Sequence, residues 1–413
     1  MIRSLSLSKL WLNFFAFAFI GFHTFANKFQ DFIDATDINV KCRMADELAK
    51  DYLLTDIDSL GLTGKKLLVF SNKSISQKGI AYSYFILGEY YVRTGKESRG
   101  VELFRESNNY FVSVKNYNMS TRVLNAIGVA YHYTGTYNEA CKWFKKSLEY
   151  GKLTSDESIA KVALLNLAQT YKELGEYGLA LDIAEEYKDW LLKINFRNFI
   201  SNAYAVIGSI YLEMNQYEKA TFYFEQCYRF AEELQDPIWK ANGYTNIGIV
   251  QFLKKDLIKS EEFFFKALEI RKNIKNVPSV CDGYLNYGGI LFEQNKYKEA
   301  ISSYKEGLAI AKKNKKYMNE IELLDALKEV YLILGQEYDL KTIDKELEIA
   351  TNNQKKVDKE ISSLDKVLTQ ELNESERIQK RGFVDDGQKK KFYIGVIFLF
   401  VFFFFLILFK KLN

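Results

Sequence analysis

The strongest constraint on the fold is an internal repeat of forty residues. Small residues return at this stride through six units, at Gly88, Gly128, Ala168, Gly208, Gly248 and Gly288. Sixteen residues after each of them comes a second recurring set, aromatic in all but one unit: Phe104, Phe144, Ala184, Phe224, Phe264 and Tyr304. A constant stride over this many units is typical of a solenoid, in which each supersecondary unit stacks on the next.

Within each unit the spacing predicts two antiparallel helices. A small residue lets two helix backbones approach closely, and the residue three positions later lies on the same helix face. Seven residues after the small position, between the two helices, stand Gly95, Gly135, Gly175, Asn215, Lys255, Asn295 and Gly335. Glycine and asparagine tolerate the left-handed conformation that ends many helices, whereas Lys255 is expected to strain its turn slightly. Asp236 before Pro237 predicts the N-cap and the first residue of a helix.

The pattern resembles the tetratricopeptide repeat. One unit carries that family's order of small, aromatic and turn residues as Gly128, Tyr131, Gly135, Tyr137, Ala140 and Phe144. A second unit carries it as Gly208, Tyr211, Asn215, Tyr217, Ala220 and Phe224, and a third as Gly288, Asn295, Tyr297, Ala300 and Tyr304. The resemblance implies an all-α protein, an α-solenoid of antiparallel helix pairs. The common unit has about 34 residues, so the longer unit here resembles a forty-residue subclass with a different superhelix geometry.

The repeat and the changes in composition predict the domain boundaries. Residues 27–80 are expected to form a degenerate N-terminal capping repeat, and residues 81–340 a solenoid of six units and a capping half-unit. Residues 341–391 predict a coiled coil or a long juxtamembrane helix, because apolar residues alternate by three and four along them. This seam, over residues 343–368, would support a homodimer. The alternative is a last solvated helix that folds back on the solenoid.

Both ends of the chain carry apolar segments. Residues 1–26 combine basic residues, an apolar run and a small-residue cleavage site, which predicts a secretory signal peptide; an uncleaved anchor or an amphipathic lid is the alternative. Phe392 to Phe409 lacks charge and would span about 27 Å as a helix, close to the hydrocarbon core of a membrane. A transmembrane helix is therefore expected there, followed by a short tail, 410–413.

Two membrane topologies are compatible with these segments. An exported N-terminus would place the repeats on the periplasmic side of a bacterial inner membrane. The lysines at 389–391 favour the reverse orientation, a tail-anchored protein with cytoplasmic repeats, because basic residues collect on the cytoplasmic side.

The residues show no catalytic pattern, and we expect neither an enzyme nor a cofactor or metal site. A net charge of +4 is too small to indicate nucleic-acid binding. The four cysteines have no metal-ligand spacing, and Cys227 occupies a slot that is small in other units, which favours helix packing. After the predicted signal the only histidine is His132, and a packed or groove-facing role is favoured over that of a catalytic base.

The resemblance implies that the first helices of the units line a groove. Its candidate residues would be Arg122, Asn125, His132, Tyr133, Gln169, Lys172, Glu173, Asn202, Ser209 and Glu213. In addition, Asn166, Asn246 and Asn286 each stand two residues before the small position. An asparagine there either binds the backbone of an extended peptide or satisfies a neighbouring helix.

These features predict a membrane-anchored scaffold that binds a peptide or protein partner in its groove, without catalysis. Their order along the chain resembles the sensor half of bacterial membrane proteins that carry tetratricopeptide repeats. The alternative function is therefore an extracytoplasmic receptor module, shortened relative to those proteins, that signals to a separate kinase or transcriptional regulator.

Overall fold

The computed structural model describes residues 28–356, except 54–56, 155–157, 196–198 and 275. In this part of the chain the regular structure is α-helical, without strands. Two compact units divide it, residues 28–114 and residues 115–356. The first contains α1 (28–34), α2 (Ile38–Tyr52), α3 (Ile57–Lys73), α4 (Gln77–Arg93) and α5 (Glu97–Ser113). The second contains α6 (Tyr117–Tyr133), α7 (Tyr137–Gly151), α8 (Ser158–Glu173), α9 (Tyr177–Lys193), α10 (Ile200–Glu213), α11 (Tyr217–Glu233), α12 (Pro237–Leu253), α13 (Leu257–Arg271), α14 (Val277–Glu293), α15 (Tyr297–Lys313), α16 (Tyr317–Leu334) and α17, described from 337 to 356.

The turns follow a stride of twenty residues, half the length of the repeat. From residue 75 onward, the described residues at this stride have a positive φ: Ile75, Gly95, Lys115, Gly135, Gly175, Asn195, Asn215, Gln235, Lys255, Asn295, Lys315 and Gly335. Where α6 ends, the amide of Gly135 donates to the carbonyl of His132 and the amide of Thr136 to that of Tyr131. This pair of bonds is a Schellman motif, which satisfies carbonyls at the end of a helix.

The turn residues predicted from the sequence therefore have the expected conformation, including Lys255, with a φ of 62°. The turns between units, such as those at Ile75 and Gln235, use the same conformation without glycine. Sequence inspection missed these two turns because isoleucine and glutamine give no signal of a left-handed residue. The N-cap at Asp236 is confirmed: its carboxylate accepts the amides of Ile238 and Trp239, and Pro237 opens α12.

The small residues of the repeat occupy equivalent sites. A Cβ atom added at Gly128 would lie 2.5 Å from Cε1 of Phe144, and one added at Gly208 would lie 2.6 Å from the same atom of Phe224. Gly88 and Gly288 face Phe104 and Tyr304 in the same way. Each aromatic ring thus fills the space that its glycine leaves. In the unit with Ala168, the ring is replaced by Ala184, so the two positions vary together.

The C-terminal end of the second unit is closed by α17. Ile343 and Ala350 of the apolar seam are buried in one core cluster with Leu324, Leu327 and Tyr331. Leu347 packs against the same cluster. The first part of the seam therefore covers α16, and a homodimer through the whole of residues 343–368 would have to break this packing. The remaining seam positions lie beyond the described residues.

No helix within residues 28–356 is both long and apolar enough to cross a membrane. The predicted signal peptide, 1–26, and the predicted transmembrane helix, 392–409, fall outside the described residues.

Candidate functional site

The first helices of the hairpins form one inner row in the unit 115–356. In this row α6 packs against α8, α8 against α10, and α10 against α12, and further along α14 packs against α16. The second helices have no comparable contacts with one another in the described chain. The first helices therefore approach each other more closely than the second helices do. We call the exposed side of this row the inner groove.

A polar network ties α6 to α8 in the inner groove. The amide of Asn166 donates to Oδ1 of Asn125 at 3.0 Å. One turn along, Nδ1 of His132 lies 3.0 Å from the hydroxyl of Thr170, which itself donates to the carbonyl of Asn166. Burial is the main cause that lowers the pKa of His132 below 6.5. These contacts give Asn125, Asn166 and His132 a role between helices.

The other candidates lie on α6, α8 and α10. Arg122 donates to the sulfur of Met119, and Lys172 forms an ion pair with Glu173 at 3.0 Å. Ser209 donates to a carbonyl of its own helix. Gln169 and Asn202 are half-buried, whereas Tyr133 and Glu213 are exposed at the ends of their helices. The structure thus places the whole predicted set on three adjacent first helices.

Asn246 of α12 and Asn286 of α14 differ from Asn166, although they occupy the equivalent position. Both are half-buried on first helices, and neither side-chain amide has a hydrogen-bond partner within the described residues. A primary amide offers donors and an acceptor together, the complement of a peptide backbone. These two amides are therefore available to a ligand, while that of Asn166 is committed to Asn125.

A cavity of about 250 Å³ opens between α12 and α14. The direct contact between these two helices is smaller than that between any other neighbours in the row. The lining residues are Phe252, Phe264, Leu285, Asn286, Gly289, Ile290 and Glu293. Asn286 was noted from the sequence as a possible peptide-binding residue and Phe264 as a packing residue, and the other lining residues were not singled out. The stride could have found several of them, since Phe252 is equivalent to His132 and Glu293 to Tyr133.

The groups with catalytic potential are otherwise dispersed. Within residues 28–356, apart from the undescribed gaps, no three His, Cys, Asp or Glu side chains come together as metal ligands. All four cysteines are buried with free thiols. Burial raises the pKa of the Cys227 thiol to about 12, and its sulfur contacts the carbonyl of Trp239, in agreement with its predicted packing role.

Comparison with known proteins identifies the repeat. Family models described as tetratricopeptide repeat match residues 120–189 and 239–313, and a further one matches residues 201–233. The fold is similar to that of a signal transduction ATPase with a tetratricopeptide repeat sensor from Pyrococcus horikoshii. The TM-score is 0.50 with 16% identity, over 79% of this chain and 50% of that one. The chain therefore carries tetratricopeptide repeats, built as an all-α repeat scaffold.

Two curated relatives share part of this sequence. Outer dynein arm-docking complex subunit 4 of Mus musculus is 29% identical over 36% of this chain and 24% of its own length. Response regulator aspartate phosphatase I of Bacillus subtilis (strain 168) is 21% identical over 54% of this chain and 56% of its own. Both matches cover less than two thirds of the relative, and both are similarities of a repeat-bearing region.

Proposed function

We propose that this chain is a membrane-anchored, non-catalytic scaffold that binds an extended segment of a protein partner in the inner groove. The observation that carries the proposal is the pair of unpartnered amides, Asn246 and Asn286. They stand at equivalent positions of neighbouring first helices, and we expect each to pair with backbone groups of one extended peptide. An extended peptide needs such pairing because its own backbone groups make no internal hydrogen bonds.

The test uses the full-length chain in mild detergent and a display library of random peptides. We expect selected peptides to lose about tenfold or more in affinity, 1.4 kcal/mol, for the variant N246A/N286A. The control is N314A, which removes an exposed asparagine at the end of α15 that bonds its own helix. If no peptide is selected, or if selected peptides bind all three proteins equally, the groove does not have this function.

The membrane anchor is proposed for residues 392–409, with the repeats on the periplasmic side of a bacterial inner membrane. The support is the uncharged run there and the apolar N-terminal segment. Topology reporters fused after Gly387 and after Asn413 test it. Activity of a periplasmic reporter at Gly387 and of a cytoplasmic one at Asn413 is expected, and the opposite pattern would indicate cytoplasmic repeats.

A second function is the receptor, in which a bound ligand acts on a separate signalling protein. The similarity to a protein named for a response regulator supports it. The name of that relative also includes a phosphatase, so a direct assay is needed. Incubation of the full chain with a phosphorylated response regulator distinguishes the functions: faster loss of the phosphoryl group would contradict a non-catalytic scaffold. Binding without this loss would favour a receptor that acts by contact.

A further inference from the structure

The cavity between α12 and α14 exists because residue 289 is a glycine. A Cβ atom at Gly289 would have only one neighbour outside the local chain within 4 Å, the hydroxyl of Tyr304 at 3.9 Å. This glycine is not needed for helix packing, unlike Gly288 beside it, whose Cβ would lie 2.3 Å from the Tyr304 ring. The equivalent positions carry side chains: Val129, Gln169, Ser209, Ile249 and Glu329. Among these units, only the one with α14 has a glycine at this position.

The size and the walls of the cavity favour a large apolar side chain. Its volume of about 250 Å³ exceeds the roughly 150 Å³ of an apolar cavity that accepts benzene. Phe252, Leu285 and Ile290 provide apolar walls. Phe252 is 37% exposed, so part of its ring faces solvent when the cavity has no occupant. Covering that surface with an apolar side chain removes it from water, which is favourable.

The rim of the cavity carries a carboxylate that has no ion-pair partner in the described chain. Glu293 lines it, and Glu329 of α16 is one helix further along; both are exposed and neither forms an ion pair in the described chain. Burial is the main cause that raises the pKa of Tyr304 to about 12, and the negative charges of Glu329 and Glu293 raise it further. The helices α14 and α16 contain one lysine, Lys328, and it pairs with Asp344 at 2.7 Å.

We propose that this cavity binds a large apolar side chain of an extended peptide, and that a lysine or arginine beside it pairs with Glu293. The inference rests on the proposed peptide-binding function and specifies its ligand. The amide of Asn286 also lines the cavity, so the backbone of the same peptide residues lies within its reach. The partner is thus recognised by an apolar residue next to a basic one.

The test is a peptide array probed with the full-length chain in mild detergent. Each peptide has a fixed central pair, Leu-Lys, Phe-Arg, Leu-Glu or Ser-Lys, between degenerate flanks. We expect Leu-Lys and Phe-Arg to bind about tenfold or more above Leu-Glu and Ser-Lys. Equal binding of all four pairs, or a preference for Leu-Glu, would overturn the inference.

Two variants locate the site. Gly289→Leu fills the cavity and is expected to remove the preference for apolar residues. Its control is Gly178→Leu, since a Cβ at Gly178 on α9 meets nothing within 4 Å and lies outside the cavity. Glu293→Gln keeps the shape and is expected to remove only the preference for the basic residue. Its control is Glu149→Gln, an exposed glutamate on the second helix α7, outside the inner groove.

The outcomes separate this inference from the function on which it rests. If no peptide binds, the proposed groove function fails. A different result would show that only the assignment of the cavity is wrong. In that case peptides bind and N246A/N286A weakens their binding, but Gly289→Leu and Glu293→Gln keep the selectivity of the unchanged protein. Circular dichroism of each variant confirms that the helices are retained.

Discussion

Replacing Gly128 by alanine tests the packing that repeats through the solenoid. The new Cβ would lie 2.5, 2.6 and 2.9 Å from three ring carbons of Phe144. The ring is 1% exposed and cannot swing into solvent. Overpacking of this kind costs about 1–3 kcal/mol, while alanine in a helix gains about 0.5–1 kcal/mol over glycine. We expect a net loss of about 1–2 kcal/mol at this hairpin.

Gly248→Ala is the matched control at the equivalent site. There the nearest ring carbons of Phe264 are 3.2 Å from the added Cβ. A shift of a few tenths of an ångström relieves this contact. The free energy that alanine gains over glycine in a helix therefore roughly offsets the packing cost of the added methyl group. The two variants make the same chemical change at the same repeat position and differ mainly in the distance to the ring.

Hydrogen exchange of the α6–α7 amides is the appropriate assay, because a solenoid opens locally and a single global free energy does not describe it. A loss of 1–2 kcal/mol predicts exchange about 5–30 times faster for Gly128→Ala. The loss should vanish in the background of Phe144→Ala, which reproduces the pairing of Ala168 with Ala184. The packing argument is wrong if the α6–α7 amides exchange as slowly in Gly128→Ala as in Gly248→Ala. It is also wrong if Gly128→Ala still speeds exchange in the background of Phe144→Ala.

Three further predictions concern single residues. Ile75 has a φ of 52°, which costs a residue with a Cβ about 1–2 kcal/mol; Ile75→Gly should therefore slow exchange in α3 and α4, and unchanged or faster exchange would contradict it. Lys41 is buried and donates to the carbonyls of Ile33 and Ala35 at 2.8 and 2.7 Å; Lys41→Met should release α1 and speed its proteolysis, whereas unchanged proteolysis would show that other contacts hold this helix. Burial lowers the pKa of His132 below 6.5, so the folded state binds fewer protons than the unfolded state. Stability therefore falls as the pH drops through 6.5. His132→Gln should remove this part of the pH dependence, measured by thermal unfolding between about pH 5 and 8.

The candidate site was predictable to different degrees along the groove. The stride and the family resemblance placed Asn125, His132 and Asn166 on neighbouring first helices, where the structure finds them. They did not distinguish an asparagine that pairs with its neighbour from one that has no partner. That difference depends on residue 125, which is asparagine beside Asn166, whereas the corresponding residue beside Asn286 is Thr245. Whether such an asparagine has a hydrogen-bond partner therefore depends on the residues of two neighbouring helices.

The sequence by itself determined the repeat, the two helices of each unit, the turns that contain glycine or asparagine, and the pairing of small residues with rings. These features are local, since helix period and backbone conformation depend on nearby residues, and the repetition makes them visible. The tertiary structure decided which amides have no partner, how Ile343 and Ala350 are covered, and where the cavity beside Gly289 opens. Each of these depends on the distance between helices that are remote in sequence, and that distance is set by the packing of whole side chains.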